Sequence, residues 1–199
     1  MRLRQSVKRS MLGARDTGVS PAALSSTVAF YSAASGVQQD GACQFTSSHT
    51  DTLSVASNST LQTGVDFWWA AWVYLDTAAS TTQYLVGKYT GTAATSEYAL
   101  NAASSRFNFL VSNGTTAYTA TANTFGAPST STWHFVMGYW DSVNNLVKVS
   151  VNGGAFDSTA TTGTVTTTAT SFYLGSLNNA SGHLNGRLDS VGFGKSPVG

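Results

Sequence analysis

Residues 67–75 read Phe-Trp-Trp-Ala-Ala-Trp-Val-Tyr-Leu, an unbroken run of apolar and aromatic side chains. Because successive side chains of a β-strand point to opposite faces, the odd-numbered residues would share one face and the even-numbered residues the other. Both faces are apolar, so the run predicts a central strand that is covered on both sides by a sheet, a loop or a ligand. We expect Trp72 and, later in the chain, Trp133 to lie in the core.

Further strands, separated by turn signals, surround this run. Asn152-Gly153 follows the alternating residues 146–151, and Asn113-Gly114 separates residues 107–111 from residues 115–122. Asn-Gly supplies the positive φ angles that a tight turn requires. Such spacing is typical of a sandwich or barrel. Strands are predicted near residues 28–31, 42–46, 51–56, 66–76, 82–89, 96–102, 106–112, 115–122, 132–142, 145–152, 155–160, 170–175 and 183–193.

The composition also favours β structure. Of 199 residues, 28 are Thr and 27 are Ser, whereas the helix formers Glu and Lys number one and four. Thr favours strands and Ser favours turns. The apolar share of 42% excludes wholesale disorder. These proportions predict an all-β fold, exclude a helical bundle and disfavour a doubly wound α/β fold.

The net charge of +1 hides an asymmetry between the start of the chain and the rest. Residues 1–15 hold five basic and no acidic side chains, giving +5, and residues 16–199 hold five basic and nine acidic ones, giving −4. We predict a basic N-terminal arm over residues 1–26 and one β-sandwich domain over residues 27–199. The arm is either a docking segment for an acidic partner or a solvated terminus. Its basic residues are Arg2, Arg4, Lys8, Arg9 and Arg15.

Neither export nor a membrane span is expected from the sequence. Charge and glycine interrupt residues 11–18, so no apolar run of signal-peptide length follows the basic start. No stretch reaches the roughly 20 apolar residues of a membrane-spanning helix. Cys43 is the single cysteine, which excludes an intrachain disulfide, and we expect it to be a small buried side chain.

Four segments resemble the laminin G-like branch of the concanavalin A-like jelly-roll family, in the family's order. They are residues 43–45 with 51–55, residues 67–73 with Trp72 at the family's tryptophan position, residues 133–141 with 149–153, and residues 174–176 with 184–191. The resemblance implies a jelly-roll sandwich of two antiparallel sheets. Trp68 departs from it, because the family usually has a small polar residue there.

Catalysis is not expected. Glucanases of this sandwich carry closely spaced carboxylates on one strand, and glycoside hydrolysis normally needs two carboxyl groups. Glu97 is the only glutamate and has no acidic residue within fifteen positions on either side. A serine triad lacks its nucleophile turn.

A structural calcium is one possible cofactor. The resemblance implies such an ion at the sandwich edge, with Asp189 matching an aspartate that several relatives use for it. Backbone carbonyls near Asp40 and Gly41 could complete the oxygen shell that calcium needs. The alternative is that the Asp189 side chain caps a turn through backbone amides. Without that ion, no cofactor is expected.

Glycan binding is the more open possibility. Lectin sites on this fold combine an aromatic platform with polar loop groups that bind sugar hydroxyls. The candidate platforms are Trp68, Tyr118 and Trp140, and the candidate loop groups are Asn144, Asn145, Asn178, Asn179 and His183.

Two functions therefore follow from the sequence. The first is a non-catalytic recognition or assembly module on a virion surface, such as a phage decoration or fibre protein. Its partners would be copies of itself or a capsid protein, and surface glycans could also bind. The alternative is a secreted or cell-surface lectin with an extracellular location. Binding to nucleic acid is not expected, because the body is acidic and the arm contains no recognised module.

Overall fold

The protein is described by a computed structural model that covers residues 27–30, 42–63, 65–178 and 181–195, with backbone alone for residues 27–30. These residues form two short 3-10 helices, Ser47–His49 and Ala93–Thr95, and thirteen strands. The strands are β1 Thr27–Phe30, β2 Cys43–Phe45, β3 Leu53–Val55, β4 Phe67–Leu75, β5 Gln83–Lys88, β6 Tyr98–Ala103, β7 Arg106–Ser112, β8 Ala117–Thr121, β9 Trp133–Asp141, β10 Leu146–Val151, β11 Asp157–Ala160, β12 Phe172–Leu174 and β13 Gly186–Gly194. The predicted arm, residues 1–26, lies outside the described residues.

The strands form two antiparallel sheets, which confirms the all-β jelly-roll expectation. We call them sheet A, with the order β1-β13-β4-β9-β10-β11 and β2 also paired with β13, and sheet B, with the order β3-β12-β5-β6-β7-β8. The apolar run at residues 67–75 is β4, and it lies between β13 and β9 in the middle of sheet A. Its central position is as predicted.

The core lies between the two sheets. Phe67 and Trp69 of β4 are fully buried there, and Trp69 stacks against Phe172 at 4.8 Å and Phe193 at 4.6 Å between ring centroids. Gly138 of β9 faces Phe109 so closely that a Cβ atom would come within 2.3 Å of the ring. The inner faces therefore interlock, and the functional surfaces must lie on the outer faces or at the ends.

The turns follow local backbone chemistry, with one addition to the prediction. Asn152 and Gly153 have positive φ angles, as the Asn-Gly signal requires, and five residues separate β10 from β11. The tightest hairpin joins β6 to β7 through Ser104 and Ser105, whose φ angles are +50° and +57°. No glycine marks this two-residue turn, but the strands predicted at residues 96–102 and 106–112 place the break at the same point.

Residues 161–170, which we call the Thr-rich stretch, follow β11 and are held on sheet B by a buried ion pair. Lys88 Nζ lies 2.6 Å from Glu97 Oε1, and both side chains are fully buried. Glu97 also accepts the backbone N–H of Thr168 at 2.7 Å, and Lys88 donates to the Thr168 carbonyl oxygen at 3.2 Å. The ion pair therefore fixes the Thr-rich stretch at one end of sheet B, where Lys88 is in register with the core residue Tyr98.

In the part of the chain that the structure describes, no helix is long and apolar enough to span a membrane. Cys43 is half-buried beside the core, and burial raises the pKa of its thiol, followed by the negative charge of Asp51.

Candidate functional site

A row of polar side chains crosses the outer face of sheet B. In register across β5, β6, β7 and β8 lie Tyr84, Asn101, Asn108 and Thr121. They alternate with core residues such as Leu100 and Phe107, so they point away from the other sheet. With Arg106 and Thr119 they line a depression of about 310 Å³, which we call the polar trough.

Two asparagines form the floor of the polar trough. Asn101 and Asn108 are only 5% and 8% exposed, and Asn108 Nδ2 donates to Asn101 Oδ1 at 3.1 Å. Asn108 Nδ2 also donates to the carbonyl oxygens of Ala103 and Arg106. Within the described residues, Asn101 Nδ2 and Asn108 Oδ1 make no hydrogen bond. The floor thus offers one amide donor and one amide acceptor side by side.

Tyr84 forms one wall of the polar trough. Its ring stacks with Tyr89, with 5.9 Å between ring centroids. Burial, followed by the proximity of Tyr89, raises the pKa of the Tyr84 hydroxyl to about 12. The phenol therefore stays neutral at physiological pH and can donate a hydrogen bond.

The outer face of sheet A has a different character. Trp72 pairs across the sheet with Phe135, and Tyr74 pairs with Trp133, with ring centroids 5.5 and 5.3 Å apart. We call these four residues the aromatic face. A depression of about 510 Å³ borders it, lined also by Asn152 and Gly153. Aromatic pairs across a sheet stabilise it, but this surface is open to ligands as well.

The expectation that Trp72 and Trp133 lie in the core is wrong. Trp72 is 42% exposed, and Trp133 is half-buried on the same outer face. The core tryptophan of β4 is Trp69, which lies on the opposite parity. The physical reason is that only the side chains at odd positions of this strand face sheet B.

Trp68, a predicted platform, lies on the outer face of sheet A over β13. A Cβ atom on Gly194 would come within 2.6 Å of its indole, and one on Gly192 within 3.3 Å. The indole therefore packs on the outward side of β13 at Gly192 and Gly194, where the strand has no side chain. It is half-buried, which leaves the platform prediction open.

The other two predicted platforms do not offer a free ring face. Trp140 is 2% exposed and belongs to the core, because its parity on β9 points it towards sheet B. Tyr118 packs partly against the core, and its hydroxyl hydrogen-bonds to Thr162 Oγ1 at 2.5 Å and accepts from Asn113 Nδ2. Trp140 is thus corrected to a core residue, and Tyr118 holds the Thr-rich stretch.

The predicted loop groups are not brought together into one site with an exposed aromatic platform. Asn144 and Asn145 are exposed in the β9–β10 turn, where Asn144 donates to Asp141. Asn178 lies after β12, and Asn179 lies outside the described residues. His183 is half-buried in the segment before β13, and within the described residues its two buried ring nitrogens have no hydrogen-bond partner.

Asp189 lies in β13, between the part of that strand that pairs with β2 and the part that pairs with β1. It is paired with Trp72 of β4 at an irregularity of β13, and its Oδ1 accepts a hydrogen bond from the Ser190 hydroxyl at 3.2 Å. Among the described residues, no three His, Cys, Asp or Glu side chains cluster as metal ligands. Asp40 and Gly41 are outside those residues, so the calcium site stays a prediction.

The residues of the polar trough were missed at the sequence level. Asn101 and Asn108 stand in strands whose alternate residues are apolar, a pattern that also fits an ordinary solvated face. The one available signal was an Asn at the matching position of two strands joined by a short turn. Without the register of that turn, the sequence could not place the two amides side by side.

Comparison with known proteins gives a family match over most of the chain. A laminin G family model, described as the concanavalin A-like lectin/glucanases superfamily, matches residues 24–195. No relative was found among curated protein sequences.

Several solved structures share the fold at low sequence identity. The NanB sialidase of Streptococcus pneumoniae has a TM-score of 0.59 and 15% identity, over 79% of this chain and 26% of that chain. The binding domain of botulinum neurotoxin serotype G has a TM-score of 0.58 and 7% identity, over 74% and 38%. Domain 4 of AbnA, an arabinanase of Geobacillus stearothermophilus, was solved with arabinotriose and has a TM-score of 0.52 and 19% identity, over 72% and 66%. This chain therefore spans about a quarter of the sialidase and 38% of the toxin domain.

Proposed function

The chain belongs to the concanavalin A-like lectin/glucanase superfamily, and we propose that it is a non-catalytic carbohydrate-binding module whose glycan site is the polar trough. The observation that carries the proposal is the pair of buried amides on the trough floor, Asn101 and Asn108. Although both side chains are almost fully buried, Asn101 Nδ2 and Asn108 Oδ1 remain accessible from the trough. A donor and an acceptor that lack partners, side by side and next to an aromatic wall, match the hydroxyl groups of a sugar ring.

Solved relatives of the fold support this choice of ligand class. Cell entry of botulinum neurotoxin type C depends on interaction with two ganglioside molecules, and domain 4 of AbnA was solved with arabinotriose. Both are saccharide ligands. At identities of 11% and 19% these structures share the fold with the present chain, and the site itself rests on the chain's own residues.

The placement of carboxylates supports a role without catalysis. None of the side chains that line the polar trough is acidic, whereas glycoside hydrolysis normally needs two carboxyl groups around the bond that is cleaved. The only glutamate, Glu97, is buried in its ion pair with Lys88. A hydrolase assay on the glycan that binds should therefore detect no turnover.

The experiment is a glycan array with the full chain, followed by calorimetry with the strongest soluble ligand. Asn101→Ala removes the free amide donor and should weaken binding at least about tenfold. Trp72→Ala, on the opposite face of the sandwich, is the matched control and should bind as the native chain does. If Trp72→Ala abolishes binding and Asn101→Ala does not, the site is the aromatic face. If no glycan binds, the proposed function is wrong.

A virion-surface location is a separate proposal that rests on the sequence, with an extracellular lectin as the alternative. Its support is the +5 charge of residues 1–15 against the −4 of the remainder, which suits docking of the arm on a neighbouring copy or a capsid protein. Deleting residues 2–20 should leave the sandwich folded and abolish assembly, measured by size-exclusion mass and co-purification with capsids. Normal assembly of the truncated chain would refute the assembly role.

A further inference from the structure

Among the described residues that line the polar trough, Arg106 is the only ionisable side chain apart from the Tyr84 phenol. It is the first residue of β7, directly after the two-residue turn at Ser104 and Ser105. That turn fixes its position next to Asn108. The other lining residues are neutral, so the trough carries one positive charge and no negative one. This sign is opposite to the net charge of −4 on residues 16–199.

The guanidinium group of Arg106 makes no ion pair. The ion pairs of the described residues are Lys88–Glu97 and Lys148–Asp141. Arg106 Nη1 donates to the carbonyl oxygen of Ser105 at 2.8 Å, and within the described residues neither the accessible Nη2 nor the buried Nε has a hydrogen-bond partner. The half-buried guanidinium group therefore has N–H donors without acceptors, and no acidic side chain of the described residues pairs with it.

Arg187 shows what a satisfied arginine looks like on the same protein. Its guanidinium lies over the ring of Tyr74 at 4.5 Å, and its Nε donates to Gln44 Oε1 at 2.7 Å. This side chain is held by its neighbours on sheet A. The difference between the two arginines is therefore local and gives a natural control.

We propose that the polar trough selects saccharides that carry a carboxylate, and that Arg106 pairs with that carboxylate. The inference rests on the proposed function of the trough. A guanidinium group presents paired N–H donors that match the two oxygens of a carboxylate, and such charge-assisted bonds are about twice as strong as neutral ones. The amides of Asn101 and Asn108 then bind the hydroxyl groups of the same sugar. The neutral Tyr84 phenol adds a donor without repelling the anion.

The test uses ligand pairs that differ in charge and keep the same ring. The probes are trigalacturonate and 3′-sialyllactose, each compared with its own methyl ester by calorimetry with the full chain. In at least one pair the acid should bind about tenfold or more tightly than its neutral partner. The preference should weaken as salt is raised, because salt screens a partly exposed ion pair.

Variants then assign the preference to one residue. Arg106→Gln should lose at least about tenfold in affinity for the acidic probe and bind the neutral probe as before. Arg106→Lys keeps the charge without the planar fork and should recover part of the preference. Arg187→Gln should bind both probes as the native chain does. Thermal melting of each variant establishes that the sandwich remains folded.

The outcomes separate this inference from the proposed function. Glycan binding that depends on Asn101 but is equal for acid and neutral probes overturns the inference and leaves the proposed function standing. Equal losses for Arg106→Gln and Arg187→Gln also overturn it, because the charge would then act at a distance. A sulfated oligosaccharide that binds as tightly as the carboxylate overturns selection for the carboxylate group. If no saccharide of either charge binds, the proposed function itself fails.

Discussion

The two outer faces of the sandwich differ in what they bury and what they expose. On sheet B, the trough buries the polar side chains of Asn101 and Asn108 almost completely, whereas on sheet A the aromatic face exposes 42% of Trp72. Both break the usual relation between polarity and burial, and such exceptions are more informative than an ordinary polar surface. A buried polar group calls for hydrogen bonds, whereas an exposed aromatic ring calls for an apolar contact. The comparison therefore predicts specific recognition on sheet B and less directional contact on sheet A.

The largest expected difference between the two sheets is in how much their ion pairs contribute to stability. Lys88→Met on sheet B leaves the Glu97 carboxylate buried without its partner and should lower the free energy of unfolding by about 3–5 kcal/mol. Lys148→Met removes the partner of Asp141 on the sheet A side, where Lys148 is 22% exposed, and should cost at most about 1 kcal/mol. Urea denaturation measures both. Equal losses would mean that the fully buried Lys88–Glu97 pair matters no more for stability than the partly exposed Lys148–Asp141 pair.

The next effect concerns the indole that lies on sheet A. Gly194→Ala brings a methyl group within contact of Trp68 and should lower stability by about 1–3 kcal/mol. Gly192→Ala makes the looser 3.3 Å contact and should cost less. Chemical denaturation gives the stabilities, and tryptophan emission reports the movement of the indole. A larger loss of stability for Gly192→Ala would contradict the position of the Trp68 indole close to Gly194.

A pH titration tests the Lys148–Asp141 ion pair of sheet A, in which the lysine is partly exposed. Burial alone would raise the pKa of the Asp141 carboxyl, but hydrogen bonds from Lys148 and Asn144 outweigh it and lower the pKa to about 2. An aspartate in the unfolded chain titrates near pH 3.9, so this stabilisation is complete above about pH 5 and is lost progressively as the pH falls through about 2. Asp141→Asn should abolish this part of the pH dependence of unfolding, and an unchanged profile would refute the assignment.

The smallest expected effect is on stability at Trp72. Because this side chain is largely exposed, Trp72→Phe should change the free energy of unfolding by about 0.5 kcal/mol or less. Quenching of tryptophan fluorescence by acrylamide should nevertheless fall markedly, since Trp69 and Trp140 are buried. Trp69→Phe is the control and should raise the quenchable fraction, because it removes an indole that is fully buried and not quenched. A large stability loss at Trp72 would place that residue in a packed environment.

Much of the fold could be predicted because its signals are local. The parity of residues 67–75 correctly separates Trp69 from Trp72, and the strands fall within a few residues of their predicted bounds. The error at Trp72 came from giving weight to the family's tryptophan position over this parity. The β6–β7 turn shows the other limit. It falls between the strands predicted at residues 96–102 and 106–112, but no glycine indicates the positive φ angles of Ser104 and Ser105 or the register that they set.

The all-β class, the central strand, the family resemblance and the charge asymmetry of residues 1–15 are evident from the amino-acid sequence, because each depends on composition or on neighbours along the chain. The polar and aromatic characters of the two outer faces, and the side chains that meet there, become evident only in the folded molecule. Asn101 and Asn108 become a pair through the register of one turn, and the opposed roles of Arg106 and Arg187 depend on neighbours that come from other strands. Burial and pairing arise from contacts between distant parts of the chain, and those contacts exist only once the sheets have formed.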